Sequence, residues 1–345
     1  MIYNIQALRG IAAFLVLFIH LMSTHPSLSI GKVHHLFGWI GPIGVDIFFV
    51  ISGFVVTLCA YKASSSNGFK STFNFMAKRV MRIYPLYWVV FILAYCFGAN
   101  LYLSPEWLPK EPVLDLFLLL KGTNYLVMSA WTLHYELYFY LVLAFILFLS
   151  TKNFWHSALF ISLIQIVVFL GTKFSLFTGY QELILSNGIL VEFTFGGVIA
   201  FLYKTERLYK PQMMLTLGGG LLALSIYAHA KFAQQAWAVE WRLLFGFSAS
   251  LIIYALVSLE VVENKKFPNM IQSIGDYSYS LYIWHQLVFA SLFYIFEKLS
   301  LIPDTRPLLV LMLCFWLIIA LAVGKLSYIF IEKPLIRFSH KLFSS

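Results

Sequence analysis

Long apolar runs repeat along the whole chain, at about 5 to 22, 39 to 60, 84 to 102, 131 to 149, 157 to 171, 183 to 203, 213 to 229, 241 to 259, 277 to 297 and 307 to 331. A helix needs about 20 mostly apolar residues to cross a bilayer, and in hydrocarbon only helices and closed barrels satisfy every backbone group. Barrel strands read as alternating segments of about 10 residues, whereas these runs are continuous. The expected fold is an all-α integral membrane protein, a bundle of about ten transmembrane helices, with the run at 157 to 171 the least secure. Composition points the same way: 61% of residues are hydrophobic and 11% charged, against roughly 25% charged in soluble domains, which excludes a soluble enzyme. Cys59, Cys96 and Cys314 sit inside apolar runs as small hydrophobes, so no disulfide scaffold is expected.

The formal net charge is +9. A nucleic-acid partner would need Lys and Arg gathered on one soluble face, and here they lie in short patches between spans. Cytoplasmic loops of membrane proteins carry an excess of Lys and Arg. With the N-terminus inside, the loops on its side hold 14 basic residues and the opposite loops 8, Arg242 among the latter, while Arg9 and Lys325 fall within spans. This bias places both termini in the cytoplasm. The first run lacks a basic leader and a small-residue cleavage site, so it is expected to be retained as a span. A single membrane-embedded domain over residues 1–345 is expected, without a repeat or a separate soluble domain.

An ionisable group inside a span costs a few kcal/mol or more and normally faces a cavity or a partner. Those within the runs are Arg9, His20, Asp46, His134, Glu136, Glu192, His285 and Lys325. Lys325 is near enough to the cytoplasmic end to snorkel to the headgroups, and His134 is near enough to an interface to be wet. Arg9 and His20 are separated by eleven steps of 100°, which leaves them about 20° apart around the helix and about 16 Å apart along it. Both therefore face one cavity. Counting depth inward from the outer interface puts Glu136 and Asp46 near the layer of His20. A carboxylate beside a neutral imidazole selects one tautomer and leaves the other nitrogen free to take a proton.

At the inner mouth, Arg79 and Arg82 are three apart and share a face if helical, and Pro85 suits the first turn of the next span. Paired guanidiniums suit a phosphate-bearing ligand; a basic cluster attracted to anionic lipids is the alternative. Gly38, Gly41 and Gly44 precede Asp46, and Ser52-Gly53 follows within the same run, as expected for close helix packing or for a break lining a cavity. Ser52 is not in a Gly-x-Ser-x-Gly elbow. There is no metal, dinucleotide or phosphate-loop signature, and His25, His34 and His35 read as histidines of a wet loop.

These segments together resemble the integral-membrane acyltransferase 3 family over essentially the whole chain. The resemblance rests on Arg9 and His20 in the first span, Phe48-Phe49-Val50-Ile51-Ser52-Gly53-Phe54, Arg79-x-x-Arg82-Ile83-x-Pro85, Trp131-Thr132-Leu133 followed by Glu136 and Phe139-Tyr140, Ser278 to His285, and Glu332-Lys333-Pro334. It implies an O-acyltransferase that moves an acyl group, usually acetyl, from cytosolic acetyl-CoA to a hydroxyl of a cell-surface polysaccharide or lipid-linked glycan such as exopolysaccharide or lipopolysaccharide. Because the chain ends soon after Glu332-Lys333-Pro334, it is similar to the stand-alone members, seated in the inner (plasma) membrane. Read with that chemistry, Arg79 and Arg82 hold the coenzyme A phosphates and Arg9 guides the pantetheine arm. His20 is the general base, oriented by Glu136 or Asp46, and no metal takes part. Ser52, Tyr135 and Tyr282 are candidates for donating to the oxyanion. Trp131 and His285 join them as candidates for contact with substrate. The alternative class is a secondary transporter or flippase.

Overall fold

The computed structural model describes residues 2–24, 38, 40–65, 68–98, 112–120, 126–149, 153–172, 188–232 and 239–343. His25, His34 and His35 lie outside them. Regular structure among the described residues is helical throughout: α1 (Tyr3–Ser23), α2 (Ile40–Ala63), α3 (Phe69–Leu93), α4 (Val113–Phe117), α5 (Trp131–Leu149), α6 (Phe154–Thr172), α7 (Ile189–Lys204), α8 (Pro211–Phe232), α9 (Val239–Glu263), α10 (Asn269–Asp276), α11 (Ser278–Lys298), α12 (Arg306–Ser327) and α13 (Lys333–Leu342). Nine helices among the described residues are long and apolar enough to cross a membrane. The run at 157 to 171 is a complete helix of 19 residues. The expected span at 183 to 203 is described from Ile189, as the 16 residues of α7.

One expectation about local structure is corrected, and one pair of alternatives is decided. Pro85 lies inside α3 rather than opening a span, because neighbouring helices can satisfy the carbonyl that a proline frees in a membrane helix. The basic run Lys78 to Arg82 is therefore part of one continuous rod, which keeps Arg79 and Arg82 on a common face. The Ser52-Gly53 step does not break α2, which is helical from Ile40 to Ala63. Gly53 is needed for packing: a Cβ there would lie 2.2 Å from the Phe193 carbonyl oxygen, and one on Gly196 would lie 2.1 Å from that of Val50. This glycine-on-glycine seam brings the backbones of α2 and α7 together, as small residues do in membrane bundles.

Helix α2 is the hub and packs against α1, α3, α5, α7 and α9. Three apolar clusters surround it, and Phe48 touches all three. Helices α1, α11 and α12 close one side and α3 with α5 the other. Hydrogen bonds hold the start of α1 to the end of α9 and the connection that follows it: Glu260 accepts from the Tyr3 and Asn4 amides, and Asn4 donates to the Leu256 and Lys265 carbonyls. Helix α13 packs on the first half of α3, where Phe343 meets Phe73. Lys325 is exposed, as a snorkelling side chain should be. His134 is only 5% exposed, so it is a buried group and not a wet one.

Candidate active site

A cavity of about 600 Å³ opens beside α13 and runs into the bundle between α2, α3, α5 and α11. That size falls within the roughly 300–1,000 Å³ of small-molecule sites. Its mouth carries Lys78, Arg79, Arg82 and His340, its middle Arg9, Ser52, Glu136 and Tyr140, and its inner end Phe48, Thr132 and Tyr282. Four fixed cations, Arg9, Lys78, Arg79 and Arg82, face one carboxylate, Glu136, so the cavity favours an anionic ligand.

Each charge is positioned by neighbours. Ser52 Oγ donates to Glu136 Oε1 at 2.8 Å and the Tyr140 hydroxyl to the same oxygen at 3.1 Å. Arg9 Nη1 donates to Gln6 Oε1 at 3.1 Å, and Gln6 Nε2 donates to Asp276 Oδ1 at 3.2 Å, which ties α1 to the end of α10. Partial burial pushes the Asp276 carboxyl above its ordinary value, against the pull of Arg9. Arg82 Nη1 lies 3.8 Å from Glu332 Oε1, and Ser280 Oγ donates to Glu332 Oε2 at 2.6 Å. Glu332, only 2% exposed, closes a π-helical turn, Tyr328–Glu332, between α12 and α13. Single π turns inside helices recur at functional sites. The Tyr279 hydroxyl donates to the Ile83 carbonyl at 2.7 Å, fastening α11 to α3 just beyond Arg82.

Past the inner end stand two histidines in edge-on contact, His20 of α1 and His285 of α11, with ring centroids 4.9 Å apart. Tyr282 separates them from the cavity: its ring is 5.7 Å from that of His285, and its hydroxyl lies 3.0 Å from Thr132 Oγ1 and 3.1 Å from the Ser129 carbonyl oxygen. His20 Nδ1 donates to the Val16 carbonyl at 2.8 Å and His285 Nδ1 to that of Tyr282 at 2.6 Å. In each ring Nε2 is therefore the basic nitrogen.

The structure corrects the orienting partner expected for His20. Neither Glu136 nor Asp46 bonds it; the Val16 carbonyl does. Helix register is the reason. Gly41 packs on Ile19, and Gly44 on Ala12 and Val16, so α2, running against α1, places Asp46 well past the level of His20. Asp46 instead pairs with Arg242 at 2.5 Å, and Arg242 lies 3.8 Å from Glu192. Arg242, counted above with a loop, is 2% exposed, and Asp46 and Glu192 are fully buried. Glu136 faces Ser52 one helical turn, about 6 Å, from Thr132. Tyr135 and Trp131 are not on the cavity wall: they pack on one another with ring centroids 6.0 Å apart, and Tyr135 also meets Phe49. The structure thus gathers Arg9, Arg79, Arg82, Glu136, Ser52 and Tyr282 around the cavity, sets His20 and His285 behind Tyr282, and places Asp46 elsewhere.

Several contributors had no signal in the sequence reading. Gln6 and Asp276 are common polar residues, Arg242 looked like a loop cation, and Ser280 gains its partner only through the fold. Glu332 belonged to a recognised pattern but had no role until the π turn brought it to Arg82.

A family profile described as an acyltransferase domain, acyltransferase 3, matches residues 2–325. The exopolysaccharide production protein ExoZ of Rhizobium meliloti is 27% identical over 317 residues, covering 88% of this chain and 92% of that protein. An uncharacterized protein of Haemophilus influenzae is 28% identical over 187 residues, covering 47% of this chain and 76% of its own length. No solved structure matches the chain. With a profile match spanning nearly its full length, and with spans that make it a multi-pass membrane protein, the chain belongs to the acyltransferase 3 family.

Proposed function

We propose that the protein is an O-acyltransferase that moves an acyl group, most simply acetyl, from acyl-CoA to a hydroxyl of a cell-surface polysaccharide or lipid-linked glycan. The observation that carries this reading is the one cavity that begins at Arg79 and Arg82, passes Arg9 and ends at Tyr282 against the His20–His285 pair. Family membership already sets acyl transfer ahead of transport. The acceptor class is taken from the relative whose name describes exopolysaccharide production. The bias of basic residues supports a cavity mouth and both termini on the cytoplasmic side of the inner membrane, the side from which cytosolic acyl-CoA would enter.

The proposed mechanism follows the cavity. The phosphates of the donor rest on Arg79 and Arg82, whose planar forks suit them, with Glu332 holding Arg82 in place and Arg9 accompanying the arm past Glu136. Once the Tyr282 side chain turns from between the cavity and the histidine pair, His20 Nε2, left basic by the bond from Nδ1 to Val16, takes the proton of the acceptor hydroxyl as its oxygen attacks the thioester carbonyl. The new ester forms, the carbon–sulfur bond breaks, and the thiolate leaves with the proton held on His20. General-base assistance is worth about 10² to 10⁴-fold, and alignment of thioester and hydroxyl supplies more. Glu136, bonded by Ser52 and Tyr140, acts as a counter-charge in the arm's path and does not orient the base.

The test supplies membranes with radiolabelled acetyl-CoA and a surface polysaccharide, followed by mass spectrometry of the product. The expected result is label in ester linkage, with Arg82→Ala raising the apparent constant for acetyl-CoA by about 10 to 100-fold, as loss of a charge-assisted bond does. Unchanged donor affinity together with an altered acceptor requirement would overturn the phosphate role of Arg82.

A further inference from the structure

A second cavity, about 1,210 Å³ and so about twice the volume of the first, lies between α2, α5, α6 and α7. Acyl transfer as described makes no use of it. Its wall runs from Leu159, Leu163 and Val198, which are exposed, to Phe139, Leu143 and Ile146 of α5 and Phe193 of α7, which are buried deep between helices. Its rim is basic: Lys62 in the last turn of α2, Lys204 in the last turn of α7 and His156 in the first turn of α6. Among the described residues none lining it is acidic, and neither lysine has a carboxylate partner. Lys204 Nζ lies 5.8 Å from the centre of the Tyr61 ring, which stacks on Trp155 at 4.8 Å. The shape is an apolar slot with two ammonium groups at one end, neither with a carboxylate partner among the described residues.

We propose that this slot binds one anionic phospholipid, its headgroup phosphate on Lys62 and Lys204 and its acyl chains along the wall made by α5, α6 and α7. Charge selects the occupant. Two lysines without a carboxylate partner among the described residues attract a net negative headgroup, worth about fivefold in affinity for each lysine, and no acidic group among the described rim residues offers a counter-charge to the ammonium of a zwitterionic lipid. The floor of the slot is also a wall of the catalytic cavity. Phe139 and Phe193 stack with centroids 4.3 Å apart, Phe49 lies 5.2 Å from Phe193 on the other side, and both Phe49 and Cys59 line the first cavity. A lipid chain in the slot therefore supports the partition against which the donor lies.

The full chain, reconstituted in an equimolar mixture of phosphatidylglycerol and phosphatidylcholine and then exchanged into detergent, tests this by mass spectrometry of the lipid that stays bound. Neither donor nor acceptor is present, so the result is independent of the proposed reaction. Wild type is expected to retain phosphatidylglycerol preferentially, at about one molecule per chain. Lys62→Ala with Lys204→Ala should reduce that preference by about 25-fold. Gly197→Leu should expel both lipids: a Cβ at Gly197 meets only Thr57 Oγ1, at 3.6 Å, so the larger side chain enters the slot without a backbone clash. Undiminished preference in the lysine variant, or undiminished retention in Gly197→Leu, overturns the proposal. If either variant fails to fold, wild type decides alone, because a ligand that binds only the native state raises the melting temperature. Equal melting temperatures in phosphatidylglycerol and phosphatidylcholine nanodiscs overturn it too.

Discussion

Two groups of buried charge lie within the bundle and are built in opposite ways. Around the first cavity, Arg9, Arg82 and Glu136 each have a neutral or weakly paired neighbour and one flank facing open space, with Glu332 buried behind Arg82. In the second group Asp46, Arg242 and Glu192 close on one another, with exposures of 0%, 2% and 0%, and line neither cavity. The first arrangement leaves charge available to a ligand, whereas the second consumes it in joining α2, α7 and α9. A charge within a membrane span is therefore a sign of chemistry only when one side of it is unspent.

The sharpest way to break this contrast is His20→Ala. We expect acyl transfer to fall by about 10² to 10⁴-fold with little change in melting temperature, and a fully active variant would remove the base assignment. Next in size is Arg242→Met, which strands two buried carboxylates and should cost about 3–5 kcal/mol of stability. Thermal melting in detergent reads it, and adding Asp46→Asn and Glu192→Gln should recover much of the loss. Should Arg242→Met abolish transfer while melting like wild type, the closed cluster would belong to the catalytic machinery after all. The smallest expected effect comes from Ser280→Ala, which removes the 2.6 Å bond to Glu332. A charge-assisted bond is worth about 1.5–3 kcal/mol; we expect the lower end, read as an apparent constant for acetyl-CoA about tenfold higher with kcat preserved.

The spans were legible because hydrocarbon imposes one requirement on twenty residues at once, and an error of a few residues at either end does not disturb it. The stripe of Arg9 and His20 and the shared face of Arg79 and Arg82 were legible for a related reason, since each pair lies on one helix and its geometry is internal. Relations between helices were not. Placing Asp46 beside His20 required the register of α2 on α1, which contacts at Gly41 and Gly44 set. Arg242 stands at the edge of its run, where hydropathy alone reads a loop. Pro85 misled by being a frequent first-turn residue. Glu332 needed a π turn, which adds one residue to a helical turn and redirects everything after it.

The short helix α4 carries a further consequence. Its segment does not remain outside the bundle: the carbonyls of Leu116, Phe117 and Leu118 accept from Tyr87, Trp88 and Tyr84 of α3, at 2.5, 3.0 and 2.8 Å, and Leu116 is fully buried. The carbonyls of Leu114, Asp115 and Leu116 accept from the amides of Leu118, Leu120 and Leu119; the α3 side chains supply donors to Phe117 and Leu118 and a second one to Leu116, and a carbonyl left bare in hydrocarbon costs several kcal/mol. Three aromatic side chains take the place that water would have, so α3 acts as the local solvent in which α4 is dissolved. Where that segment resides is then a matter of solubility, decided by donors on a neighbouring helix rather than by its own hydropathy.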